Sequence, residues 1–349
     1  MQLLIVLPQA LQPMNTIHTF LLTSISTAFL TACGGGGGTP VPLGIGEPAT
    51  GSLVITPANA KAVAAHALSQ TTNRLYTLGA AGPLVANTEF LSPSTSNLAN
   101  PTVLNSNSLK TGQVCGADGA VQVTGSIANA SGLGTGDVVQ STYKNCGVLA
   151  YGLSPTYLDG SAMQTVTSGS AATMPFQVVL EGTLDNVRIG IPQAVGGFSE
   201  VQVLNGMPTL QWSAYSRTLQ TLTIFGRPLT IKSTVGGVLR THNWQGHRQV
   251  ISINGVYTGY SLDALVYSDN PLFGPTGGSY IQRTLAPVVK DTVSNVLTAG
   301  VLRAEGYFNA RALISIGTNQ VVQVDVDANG DGVYEATVFS TVSELSTLL

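Results

Sequence analysis

Val321-Val-Gln-Val-Asp-Val-Asp327-Ala-Asn-Gly-Asp331-Gly-Val-Tyr-Glu335-Ala-Thr-Val-Phe339 is the stretch whose pattern decides the fold. Val322, Val324 and Val326 alternate with Gln323, Asp325 and Asp327, a period of two that puts the three valines on one face of a strand. Asn329-Gly330 and Asp331-Gly332 are dipeptides that reverse a hairpin, and Val333–Phe339 supplies the returning strand. The same pattern extends upstream. Val121, Val123 and Ile127 alternate with polar or small residues, and Leu219, Leu222 and Ile224 do so less cleanly. Turn signals recur at hairpin distances. A short phrase also repeats, as Leu158-Asp-Gly160, Leu180-Glu-Gly182, Leu204-Asn-Gly206 and Ile253-Asn-Gly255, at intervals of 22, 24 and 49 residues. That period is read as repeated hairpins.

The expected fold is therefore mainly β from about residue 112 onward. It is one large, twisted antiparallel β-meander, curved toward a half-barrel, with one or two short helices. Sparse charge implies edges protected by Pro, Gly or a helix. The clearest helix lies near 57–70, with Thr56 as its N-cap and Pro57 in its first turn. Ala60, Val63, Ala64, Ala67 and Leu68 fall on one face, and His66, off that stripe, is expected in solvent. Ala286–Leu297 is a second, shorter helical candidate. Residues 76–110 read as a loop or two short strands.

Of 349 residues only 9% are charged, against roughly 25% in ordinary soluble domains. With 14 Lys+Arg, 17 Asp+Glu and a net charge of −3 there is no basic footprint, which excludes nucleic acid as a partner. At 44% hydrophobic, the chain can bury a large core. No run after the first fifty residues approaches the roughly 18 apolar residues of a membrane-spanning helix.

Met14 is read as the start of an apolar h-region that ends in Leu30-Thr-Ala-Cys33. This stretch resembles a bacterial lipobox, in which small residues precede the cysteine that receives lipid. The resemblance implies residues 1–32 as signal peptide, Cys33 as the lipidated residue and, with Gly34 after it, an anchor in the outer membrane. Stable anchoring by more than one acyl chain fits that reading. Gly34–Gly38 begins a Gly/Pro-rich tether over 33–50, too flexible to join a core, and 51–349 is the mature domain. With Cys33 lipidated, Cys115 and Cys146 remain to form a disulfide in an oxidising compartment. Closing a loop of about thirty residues would contribute roughly 3–4 kcal/mol.

Asp327, Asn329, Asp331 and Glu335 stand at positions 1, 3, 5 and 9 of the C-terminal loop, a spacing of hard oxygen ligands suited to calcium. An EF-hand frame fails at its twelfth position, which is Val338 counted from Asp327. The Asp-x-Asn-x-Asp-Gly-x-x-Glu form is instead similar to the calcium hairpins of integrin propeller blades, where strands flank the ion. That resemblance implies side-chain ligands from Asp327, Asn329, Asp331 and Glu335, a carbonyl from Val333, and a structural ion. The plainer alternative is a bare hairpin turn.

His242-Asn-Trp244-Gln-Gly-His247-Arg248 is the other dense polar cluster. It reads first as a hairpin turn whose Trp packs on the sheet. A sugar or peptide contact through Trp244 and Arg248 is an alternative, as is a metal held by both His. Tyr257, Tyr260, Tyr267 and Tyr280 read as cross-strand packing.

Several catalytic signatures fail on context. Gly44-Ile-Gly-Glu-Pro-Ala49 lies in the tether and opens no helix. Ser141-Thr-Tyr-Lys144, Ser268-Asp-Asn270 and Lys110-Thr-Gly112 occur in the wrong chain order for penicillin-recognising enzymes, and Ser141 falls in a strand-like run. The function expected from sequence is thus a non-catalytic outer-membrane lipoprotein, its β domain stabilised by calcium, with an envelope protein or glycan as partner. The alternatives are a periplasmic hydrolase or glycan-processing enzyme, and a carrier of apolar ligands.

Overall fold

Alternating sequences of this length can bury one face only by pairing side by side, and they do so here in strict chain order. The computed structural model describes residues 52–73, 119–128, 133–148, 156–171, 174–192, 198–216, 218–235 and 238–348. Cys33, the tether, Cys115 and residues 76–110 lie outside them. The described strands form one 13-stranded sheet in the order β1 to β13, every neighbouring pair joined by antiparallel hydrogen bonds. They are β1 (Ala120–Ser126), β2 (Val138–Val148), β3 (Thr156–Ser170), β4 (Phe176–Pro192), β5 (Phe198–Ser216), β6 (Leu219–Val235) and β7 (Val238–Asn254). Then follow β8 (Tyr257–Ser268), β9 (Gly278–Asp291), β10 (Val296–Glu305), β11 (Arg311–Ile316), β12 (Val321–Asp327) and β13 (Ala336–Thr341). β1 and β13 do not pair, so the sheet is an open meander, not a closed barrel. β5 has 19 residues, on the order of 60 Å of strand, whereas β11 and β13 have 6 each.

An open sheet of more than about ten strands commonly curls, and the sequence supplies a line of bulges across the long strands. Asn145, Gly160, Asn186, Gly206, Gly226 and Gly246 take positive φ on successive strands β2 to β7. Pairing slips beside five of them, between Tyr143 and Cys146, Asp159 and Ser161, Leu184 and Val187, Gly206 and Pro208, and Gln245 and Arg248. Each bulge adds local bend and twist. At Gly160 (φ +102°) a Cβ would stand 2.2 Å from the Asn186 carbonyl oxygen, so only glycine fits. This corrects the reading of the repeated phrase. Leu158-Asp-Gly160, Leu180-Glu-Gly182 and Leu204-Asn-Gly206 lie within β3, β4 and β5, two of them at bulges, and only Ile253-Asn-Gly255 marks a hairpin turn.

The inner face carries the core, including Trp244, Tyr260, Leu262, Val266, Tyr280, Leu302, Ile314, Val322, Val324 and Val326, all fully buried. Helix α1 (Ala60–Thr71) packs against β8, β10, β11, β12 and β13 and against α2 (Val342–Ser346). Ten of its twelve residues are buried. A helix buried on nearly every side is an interior element, and five alanines keep it slim enough to lie there. His66 is therefore not solvated, as the single apolar stripe implied, but 1% exposed. The start is also later than Thr56. Asn59 is the N-cap, and its Oδ1 accepts from Thr56 N at 2.9 Å, closing a turn over 56–59 before the helix begins. No second helix spans Ala286–Leu297. Its first part completes β9, a turn follows, and Val296 opens β10, because Val288 and Leu297 face the core at strand spacing.

Candidate functional site

Two places gather chemistry-bearing side chains. The first is the loop between β12 and β13, the strand-flanked setting expected for Asp327–Glu335. The loop brings one carboxylate oxygen each of Asp327, Asp331 and Glu335 within 4.8 Å of one another. Asp327 ends β12 and is fully buried, while Asp331 and Glu335 are exposed. Backbone donors hold the three in place. Asp327 Oδ1 accepts from Gly330 N at 2.7 Å and its Oδ2 from Gly332 N at 2.9 Å. Asp331 Oδ1 accepts from Val333 N at 2.8 Å, and Glu335 Oε2 accepts from Ala328 N at 2.9 Å. These bonds use few of the lone pairs that ionised carboxylates offer, so the cluster has the donor capacity to hold a cation. Asn329 turns inward on the loop instead. Its Oδ1 accepts from Asp331 N at 2.8 Å and its Nδ2 donates to Asp331 Oδ2 at 3.0 Å.

The second place corrects the reading of residues 242–248 as a turn. They lie in the body of β7, which crosses the sheet beside β6 and β8. His242 and Trp244 point inward by alternation. The bulge at Gly246 (φ 52°) then inserts one residue, so that His247 and Gln249 point inward too. Arg248 is left exposed on the outer face, away from the others. No loop tip presents Trp244 to a ligand; it is fully buried, and its Nε1 donates to Gln70 Oε1 of α1 at 2.9 Å.

Around these residues α1 and the sheet share a buried polar network. His66 Nε2 lies 3.0 Å from His242 Nδ1, and His66 Nδ1 lies 2.8 Å from Tyr280 Oη. Tyr280 Oη donates to Gln282 Oε1 at 3.4 Å, and Gln282 Nε2 donates to Ala67 O at 3.2 Å and to Thr71 Oγ1. Gln249 Nε2 donates to Thr71 O at 3.3 Å. Phe273 closes the cluster edge-on to His66, with ring centroids 5.1 Å apart. Burial holds His66 well below the usual histidine range, and the neighbouring His242 adds to that. Burial also takes His242 down to about 4, against an upward pull from Asp269, and takes His247 down to about 4. The Tyr280 hydroxyl is pushed well above its ordinary range by burial.

Sequence reasoning found His242, Trp244 and His247 but not their partners on α1 and β9. The available signal was the i, i+4 pair His66 and Gln70 on an otherwise apolar helix, with Tyr280 and Gln282 alternating on a strand. On the outer face of the same strands Asn243, Gln245, Leu265, Tyr267 and Ser279 line an open groove of about 340 Å³. Tyr267 Oη is fixed there by donating to Thr276 O at 3.2 Å. Cys146 is buried in β2. Among the described residues no helix is long and apolar enough to cross a membrane. No family model, curated protein or solved structure matches the chain.

Proposed function

We propose that the chain is a non-catalytic, lipid-anchored module of the outer membrane whose last hairpin is fastened by calcium. The observation that carries the calcium part is the convergence of Asp327, Asp331 and Glu335 at the edge of the sheet. Calcium takes six to eight oxygens in flexible geometry and prefers carboxylates and carbonyls. Asn329 would join through Oδ1 and Val333 through its carbonyl, with water completing the shell. The edge is where such an ion is useful, because β11, β12 and β13 are only 6, 7 and 6 residues long.

Lipid on Cys33 and the 33–50 tether would place the sheet at the membrane, and a Cys115–Cys146 disulfide would hold β2 to the chain before β1. The oxidising compartment that the lipobox implies supports that pairing. For a partner, the groove of Asn243, Gln245, Tyr267 and Ser279 offers amides, a phenol and a hydroxyl with no charge among them. That chemistry suits a neutral glycan of the envelope.

Labelling cells with a fatty-acid tracer tests the anchor. The full chain is expected to take up label and sediment with outer membranes, and Cys33→Ser to do neither. Equal fractionation of the two would remove the anchor from the account. A glycan pull-down that Asn243→Ala and Tyr267→Ala leave unchanged would remove the groove.

A further inference from the structure

We propose that the His242–His66–Tyr280–Gln282 chain is an acid-sensitive latch that holds α1 in the inner face of the sheet. Hydrogen-bond arithmetic assigns its protons. Tyr280 has one proton, and Gln282 Oε1 can only accept, so Tyr280 Oη donates to Gln282. The Tyr280 oxygen must then accept from His66 Nδ1–H. A neutral His66 protonated at Nδ1 has a bare Nε2, which accepts from His242 Nδ1–H. Every link is satisfied once, in one direction, from β7 through α1 to β9. The chain returns to the helix through Gln282, which donates to Ala67 O and Thr71 Oγ1.

This order leaves no room for a proton on His66. Adding one to its Nε2 sets two N–H groups head to head across 3.0 Å, and the link between α1 and β7 is lost. A first proton goes to His242 on its other nitrogen, opposed by burial and favoured by the nearby Asp269 carboxylate. The groups facing the pair from the packed elements are Tyr280 of β9, Asp269 after β8, and the uncharged Phe273. Further along β7, His247 lies beside Trp244, with ring centroids 5.8 Å apart. β10, β11 and β12 present Leu302, Ala304, Ala312, Ile314, Val322 and Val324 to the interior, with no charge to compensate a cation. The nearest charged contact on α1 itself is Lys61 with Glu344, five residues away. Acid therefore acts on the polar seam of α1 before it acts on the apolar pairing of the long strands.

The test uses the full chain carrying Trp212→Phe, which leaves Trp244 as its only tryptophan. Because Trp244 is buried and bonded to Gln70, its emission reports whether α1 is docked. Emission and backbone hydrogen exchange are followed from about pH 7.5 to about pH 4, with circular dichroism monitoring the sheet. The expected result is a red shift and at least about tenfold loss of protection in residues 60–71 as the pH falls below about 6, while β3–β8 keep theirs. His66→Gln with His242→Gln should remove that response or move it at least about one pH unit lower. Protection of α1 that persists to about pH 4 would overturn the proposal. So would loss of α1 and the sheet together, or the same response in the double variant. The comparison of α1 with the sheet in the wild-type histidine background decides the matter whether or not the double variant folds.

Discussion

The β12–β13 loop and the seam between α1 and β7 both concentrate polar side chains, and they satisfy them in opposite ways. In the loop, carboxylates accept backbone N–H groups, and the exposed Asp331 and Glu335 keep lone pairs toward solvent. In the seam, histidines, a tyrosine and glutamines bond mainly to one another and to the end of α1, and almost nothing reaches water. The first arrangement is suited to gaining a cation. The second is suited to excluding charge, because a buried ionised group without a partner costs several kcal/mol. Acidic groups at an edge and neutral groups in the interior suit the two regions to different variables, a cation for one and, as proposed above, pH for the other.

The largest separation between them is expected on acidification. His242 and His247 titrate at about 4 in the fold, against about 6.5 when unfolded. Between those values the unfolded chain binds the more protons. The stabilisation is therefore complete above about pH 6.5 and is lost as pH falls toward about 4, on the order of 3 kcal/mol for each histidine. Urea midpoints measured in chelator at about pH 7 and about pH 4.5 should show this loss, and His247→Phe should remove its own share while that of His242 remains. A flat profile for the wild type would break the contrast. Next in size is Trp244→Ala, which empties an interior site and orphans Gln70. It should cost about 3–5 kcal/mol, with or without calcium, in the same unfolding assay.

Within the loop the buried carboxylate differs from the exposed ones. Asp327 caps Gly330 N and Gly332 N whether or not an ion is present. Asp327→Ala should therefore cost about 1–3 kcal/mol even in chelator, read in the same unfolding assay. Glu335→Gln should lower stability by about 1 kcal/mol in calcium and far less in chelator, read by thermal unfolding in the two buffers. The smallest effect belongs to Lys61→Ala. Its Nζ stands 4.0 Å from Glu344 on the exposed side of α1, so the change should stay within a few tenths of a kcal/mol.

What was legible in the sequence follows from periodicity. Val322, Val324 and Val326 alternate without interruption in β12, and the antiparallel meander and the strand-flanked acidic loop both followed from that pattern. Bulges were hidden because they break the period locally. Gly246 made residues 242–248 look like a turn, although strands on both sides hold them in β7. The burial of His66 was hidden for another reason. An alanine-rich helix shows the same apolar stripe whether it lies on a sheet or inside its curve, and only the sheet's extent decides which.

The measurement that tests the account most directly is thermal unfolding of the chain and of Asp331→Ala, each in millimolar calcium and in EGTA. Calcium at about ten to a hundred times its dissociation constant should stabilise the wild type by about 1.4–2.7 kcal/mol. That corresponds to a rise in Tm of about 2–4 °C, and Asp331→Ala should lose it while falling only slightly below the wild type in EGTA, because the bonds it gives up to Val333 N and Asn329 Nδ2 are exposed. Equal melting temperatures in calcium and chelator for the wild type would contradict the account and leave the Asp327–Glu335 loop a hairpin turn.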